Sequence, residues 1–240
     1  MALYTPAAAG AAGSPSSAFQ PGERLTFDLR WNSIPAGTAV LSVEPVTAVG
    51  GVAAHHFLMT VRSSPFLDLF YKVRDTIEAF ANLEMTHSLL HRKTLREGGY
   101  RADVVVRFDW TMNTARYENR GKQKEPIAVP SGTFDPLSVC YFLRLQDLAV
   151  GQELQAPVSD GKKSVMGKIR VLGKERVEVP AGAYDAFKLE PELKHLGGVF
   201  KRSKAAKMQV WISSDERRLP VKVKSEVKVG HFSAVLASVD

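Results

Sequence analysis

The chain has 240 residues, of which 45% are hydrophobic, a formal net charge of +7 and one cysteine. That content buries a sizeable core in one domain or two smaller units. A single Cys excludes an internal disulfide and a multi-cysteine zinc site, and no apolar run reaches the roughly 20 residues of a transmembrane helix.

Residues 1–20, rich in Ala, Gly, Ser and Pro, read as a disordered lead-in. Such a segment often follows a removed signal peptide, although it also suits a cytoplasmic chain with a floppy start. Export is the reading favoured here. Order is expected from 21 to 240 as a single β domain. In RLTFDLRW, Leu25, Phe27, Leu29 and Trp31 alternate with polar residues, the period-two mark of a half-buried strand. Turn residues at Pro35 and Gly37, and again at Gly50-Gly51, separate the next alternating runs, Ala39 to Val43 and Phe57 to Val61. SSPFLDLFYKV breaks the alternation, and Ser64-Pro65 predicts a short helical turn with Pro at its first position. VRDTIEAFA, THSLLHRKTLR and ADVVVRFDW return to strand character.

One convincing helix follows. Thr133 and Asp135 offer cap oxygens, Pro136 stands near the first turn, and LSVCYFLRLQDL has helical spacing, which predicts a helix over Asp135 to Gln146. Cys140 within it reads as a buried small hydrophobe. Strand signals then run to the C-terminus. The total is roughly ten to twelve strands with short connections, which predicts a mainly β, antiparallel curved sheet or half-open barrel with the helix packed in or across its concave side.

The common dinucleotide, P-loop, α/β-hydrolase and zincin motifs are absent. His55 and His56 are adjacent, so on a strand they face opposite ways. His87 and His91 would stand ~13 Å apart on a strand, too far to share a metal. No metal, cofactor or catalytic residue is therefore expected. Glu97 and Asp215 lie in turn sequences and are the carboxylates to examine if the protein were a cell-wall or polysaccharide hydrolase, which needs two converging acids.

Two groups of residues are candidates for binding. The aromatics Trp31, Phe57, Tyr71, Phe108, Trp110 and Trp211 are core material or, if the sheet curls without closing, the lining of an apolar pocket. The loop PELKHLGGVFKRSKAAK holds Lys194, Lys201, Arg202, Lys204 and Lys207 against Glu192, with Gly197-Gly198 as a hinge. Apolar residues amid cations suit an anionic membrane surface. Nucleic acid is disfavoured because only Phe200 is interleaved with the charge.

Taken in order, GERLTFDLRW, IPAGTAVLSVEP, YKVRDTIEAF, LREGGYRADVVVRFDW, DPLSVCYFLR, VPAGAYDAFKLEPE and VWISSDERRLPVKV resemble the bacterial domain of unknown function 3108 family, from about Pro21 to Val235. The resemblance implies an exported protein of the Gram-negative envelope, a curved antiparallel sheet loosely like lipoprotein carriers, and no inherited catalytic residue. The expected function is non-enzymatic binding of an apolar or amphipathic, lipid-like ligand in the periplasm. The alternative is an envelope scaffold for a partner protein. An internal cavity would favour the first, and an exposed patch around Phe66 to Tyr71 the second.

Overall fold

The alternating runs become strands wherever one face can be buried. In the computed structural model, which describes residues 18–192, 207–227 and 230–240, the chain opens with β1 (Arg24–Trp31), β2 (Ile34–Val49) and β3 (Val52–Ser63). The turn α1 (Pro65–Asp68) precedes β4 (Arg74–Asn82), β5 (Ser88–Glu97), β6 (Tyr100–Asp109) and β7 (Thr114–Asn119). The short β8 (Lys122–Gln123) and β9 (Ile127–Ala128) lead to the helix α2 (Ser138–Arg144). β10 (Glu153–Ser159), β11 (Ser164–Val179), β12 (Gly182–Pro191), β13 (Lys207–Ser213), β14 (Pro220–Val227) and β15 (Gly230–Val239) complete the chain.

All fifteen strands belong to one antiparallel sheet, whose path runs from β10 up to β15, across to β1 and on to β8, with β9 also beside β7. The C-terminal strand thus pairs with the N-terminal one, Phe27 opposite Leu236. The strand count exceeds the sequence expectation in part because β8 and β9 are only two residues each and carry no period.

The sheet coils around α2. Tyr141 of the helix and its cap residue Leu137 join Phe57, Val43, Ala79 and Phe134 in a buried cluster on β2–β4, and Tyr141 stacks on Phe57 at 3.8 Å between ring centres. Leu143 reaches the opposite wall, where Leu148, Val171, Phe187, Leu189 and Ile212 are buried. The helix is shorter than predicted, because the chain around Asp135 serves the sheet instead. Phe134 bridges to Val158 of β10, while the Thr133 carbonyl accepts from Ser88 N at the start of β5. The β10–β11 turn folds over the same side: a Cβ on Gly161 would stand 2.8 Å from Val106 and 3.2 Å from Tyr117. The result is a half-open barrel with a helical plug.

A buried ion pair fixes that plug. Arg144 donates to both carboxylate oxygens of Glu23, at 2.6 and 2.9 Å, with both side chains 3% exposed. It also donates to the carbonyls of Ala18 and Arg217 and lies over the Phe19 and Tyr141 rings. One guanidinium therefore ties the N-terminal segment, α2 and the β13–β14 turn together.

Cys140 is a correction. It is exposed, because Ser138, Tyr141 and Arg144 take the buried side of α2. Protein packed around the thiol, with the nearby Asp135 carboxylate, raises it to about 11. A thiol so protonated is a poor nucleophile.

Candidate functional site

In an antiparallel meander alternate connections fall at the same end of the sheet. Here one end carries the β1–β2, β3–β4, β5–β6, β7–β8 and β14–β15 connections. The β3–β4 connection, residues 64–73, is the most developed of them. Ser64 caps α1 by accepting from Leu67 N at 3.3 Å, and Pro65 holds the first helical position without wasting a donor. Arg74 grips the Asp68 carboxylate with two bonds, 2.5 and 3.0 Å, and Ser63 Oγ donates to the same group at 2.5 Å. Ser63 Oγ in turn accepts from Val73 N at 2.7 Å. The Arg74 hydrogen bond, then that of Ser63, holds the Asp68 carboxyl below its ordinary range, and the same bond raises Arg74.

These bonds satisfy the polar groups at the base of the turn, so its apolar side chains are presented outward. Phe66 is 59% exposed, Leu69 78%, Phe70 75% and Tyr71 51%. Four large apolar groups in water within six residues are costly, at roughly 25 cal/mol per Å2, and such patches mark interaction surfaces. The tip is also braced by its neighbour: Gly98 N donates to Lys72 O at 2.8 Å. Tyr71 lies so close to Gly98 that a Cβ there would meet the ring at 2.6 Å, at a φ of +53°.

A carboxylate pair lies beneath the tip. Glu97 ends β5 opposite Val73 and hydrogen-bonds Asp75, which accepts from Arg96 N at 2.8 Å. Burial, then the Asp75 charge and the bond between them, raise Glu97 above its ordinary value. The sequence reading missed this partner, which the Asp75–Leu95 level of the β4–β5 pairing brings alongside. Two acids in direct contact leave no room for a sugar and a water between them. Asp215, the other hydrolase candidate, sits at the opposite end of the sheet, accepting from Ser213 Oγ at 2.6 Å in the β13–β14 turn.

The six aromatic pocket candidates do not line a common pocket. Phe57 is in the core under α2. Trp211 is buried between Lys188 and Lys222 and donates to Glu175 at 2.6 Å. Phe108 and Trp110 stack on each other beside β6, with Trp110 donating to Ser88 O at 2.9 Å. Trp31 and Tyr71 are surface residues. Strand aromatics alternate faces locally, but which faces converge depends on sheet coiling, which periodicity does not carry. Of the basic loop, Lys207 is exposed at the start of β13, whereas Lys194, Lys201, Arg202 and Lys204 lie outside the described residues.

One buried cluster has catalytic residue types. Ser88 Oγ donates to Asp135 at 2.6 Å, and His91 Nδ1 stands 3.1 Å from the same carboxylate but off the line of a good hydrogen bond. Asp135 also accepts from Leu137 N and Ser138 N, capping α2. Burial opposes its charge. The His91 charge and contacts from His91, Ser138 and Ser88 outweigh burial and hold the carboxyl below its ordinary range. Ser88 and Asp135 have no exposure and His91 1%, so no substrate reaches them. The cluster is a latch between the helix start, β5 and β10. Among the described residues no group of His, Cys, Asp and Glu is arranged to hold a metal ion, and no helix is long and apolar enough to cross a membrane.

Two surface cavities stand out. One of about 340 Å3 is lined by Glu153, Lys168, Arg170 and Glu190, and one of about 330 Å3 by Arg24, Ser42, Thr60 and Arg62. The first is open and lined mainly by charged groups; the second adds Val40 and Leu58 to its polar lining, and neither is the enclosed apolar pocket that small molecules fill.

Sheet, plug and exposed tip define a barrel-like antiparallel β protein whose prominent surface feature is apolar. A solved structure from Brucella abortus, a beta-barrel-like protein of domain of unknown function DUF1849, shares that fold: the TM-score is 0.57 at 10% identity, over 91% of this chain and 96% of that one. Proteins from Bacteroides fragilis, with a YmcC-like fold, and Parabacteroides distasonis match at 11% identity over 92% of this chain and 96% of theirs, with TM-scores of 0.34 and 0.32. No curated protein matches the chain. The chain belongs to the family described as protein of unknown function, DUF3108, whose model matches residues 26–237.

Proposed function

We propose that the chain is a non-enzymatic binding protein of the Gram-negative envelope, located in the periplasm, that docks through the tip 64–73 onto an amphipathic target in envelope biogenesis. The observation that carries this is the exposure of Phe66, Leu69, Phe70 and Tyr71 on a turn braced by Asp68 and Arg74. The sealed Ser88–His91–Asp135 cluster supports a non-enzymatic role, and the family resemblance supports the envelope address. Phe66→Ser with Phe70→Ser, expressed in a Gram-negative host, tests it. The wild type is expected in the envelope fraction and the double variant in the soluble periplasmic fraction. Equal distribution of two folded proteins would defeat the reading.

A second reading, carriage of an anionic amphiphile on the concave side, has its own observation. Lys93 on β5 is paired between Ile77 and Val104 and half-buried, and its ammonium has no ion pair or hydrogen bond among the described residues. Burial lowers its pKa, and Asp160 only partly compensates. Fluorescent fatty-acid binding that weakens in Lys93→Met, with an uncharged fatty alcohol bound equally by both, would support it. Equal acid binding by both proteins would exclude it.

A further inference from the structure

The exposed aromatic residues are not scattered. Among the described residues, the large hydrophobics exposed to water include six aromatics: Trp31, Phe66, Phe70, Tyr71, Tyr100 and Phe232. All six stand at the end of the sheet that carries the tip. Trp31 is the last residue of β1 and Tyr100 the first of β6, and Phe232 pairs with Trp31 near the start of β15. Among the described residues, the opposite end, with the β2–β3, β4–β5 and β6–β7 connections, exposes no aromatic residue but the non-aromatic Val46, Val52, Leu83 and Met112, with Val150 before β10.

Two pairs of the six are in ring contact, and backbone bonds set their connections side by side. Phe232 stacks on Trp31 at 6.4 Å between ring centres, and Asn32 N donates to His231 O at 2.8 Å. Beyond the β1–β2 turn, Ser64 N donates to Ala36 O at 2.9 Å, which seats the tip beside β2. Phe66 packs edge-on against Phe70 at 5.7 Å. Tyr71 covers Gly98, two residues before Tyr100. The arrangement is an aromatic arc of neighbouring connections along the rim.

Charge at this end has a sign. Arg30, Lys72, Arg101 and Lys122 are exposed, with no carboxylate in ion-pair range among the described residues. The acids nearby are occupied. Asp68 is paired with Arg74, Asp103 with Arg96 and Arg120, and Glu118 with Arg107. Glu97 lies against Asp75, and burial, then the Asp75 charge, raises it above its ordinary value. An arc of Trp, Tyr and Phe with unpaired cations matches the chemistry of a bilayer interface, where amphipathic rings sit at headgroup level and Lys and Arg meet anionic phosphate. A protein partner would instead fit a central apolar patch with charge depleted from it.

Resting on the docking role proposed above, we infer that the target is the surface of an anionic phospholipid bilayer, met by the aromatic arc Trp31, Phe66, Phe70, Tyr71, Tyr100 and Phe232, with Arg30, Lys72, Arg101 and Lys122 on the headgroups. The arc lies on the surface without spanning.

Flotation of the full chain with protein-free vesicles tests this. Vesicles of phosphatidylethanolamine and phosphatidylglycerol, three to one, are expected to bind it at least roughly tenfold more tightly than pure phosphatidylcholine, and added salt is expected to erode the difference. Phe66→Ser with Phe70→Ser is expected to lose binding to both. Lys72→Glu with Arg101→Glu is expected to lose only the preference for the anionic lipid. Circular dichroism confirms that each variant is folded. Binding of the double Ser variant at wild-type strength would overturn the inference. So would a wild type that associates with cell envelopes yet ignores protein-free vesicles, which would leave the docking role standing and make the target a protein. Association with neither would overturn both.

Discussion

Replacing Arg144 with Met removes the guanidinium while keeping most of the stem that packs on Phe19 and Tyr141. Glu23, 3% exposed, is then a buried carboxylate whose remaining contact is Arg217 at 3.4 Å, and the Ala18 and Arg217 carbonyls lose a donor. Breaking a buried pair from one side costs about 3–5 kcal/mol. At about 2–4 °C per kcal/mol for a chain of this size, the midpoint falls by roughly 6–20 °C. Urea unfolding followed by tryptophan fluorescence should show a lower midpoint with an unchanged slope. The double variant Glu23→Gln with Arg144→Met should recover part of the loss, because the stranded charge is gone. A single variant within about 1 kcal/mol of wild type, or a double variant as unstable as the sum of the two singles, would refute the claim that this pair holds the plug.

Asp135→Asn keeps the shape of the latch but loses charge. The expected cost near neutral pH is about 1–3 kcal/mol, read by thermal unfolding. Because the folded carboxyl is held below 3.8, its stabilising effect is complete above that value and fades as pH falls through the folded pKa, so the variant should have a flatter acid limb. Glu97 has the opposite sign. Its folded value is raised above 4.5, the native state holds more protons, and stability declines as pH rises through the raised pKa. Glu97→Gln should remove that decline and melt higher than wild type near neutral pH. Phe66→Ser with Phe70→Ser should change stability by no more than about 0.5 kcal/mol, since the rings are exposed, while abolishing envelope association.

The framework was legible because strand periodicity is local. RLTFDLRW and ADVVVRFDW state their own buried faces, and Ser64-Pro65 states the start of α1. The plug was legible as a helix but not in its length, since Thr133 to Asp135 are recruited by strands distant in sequence. Glu23 and Arg144 are 121 residues apart, and Ser88 and Asp135 47, so no local spacing announces either contact. The aromatics were visible, but their sorting was not. Trp31, Tyr71, Tyr100 and Phe232 belong to different connections, and they share an end only because alternate turns of an antiparallel meander do. Counting turns by parity would have brought them together. The basic loop carried the charge signal that the sequence reading weighed most, whereas the described cations of the rim, Lys72 and Arg101 among them, stood singly between strands and attracted none.

The central claim is that one end of the sheet is the working surface. A photo-crosslinking amino acid at Phe70 and, separately, at Met112 compares two similarly exposed sites, 75% and 68%, at opposite ends of the sheet. Illuminated in a Gram-negative host, the Phe70 site is predicted to capture envelope lipid and the Met112 site to remain uncoupled. Equal capture at both sites, or capture at Met112 alone, would contradict the account.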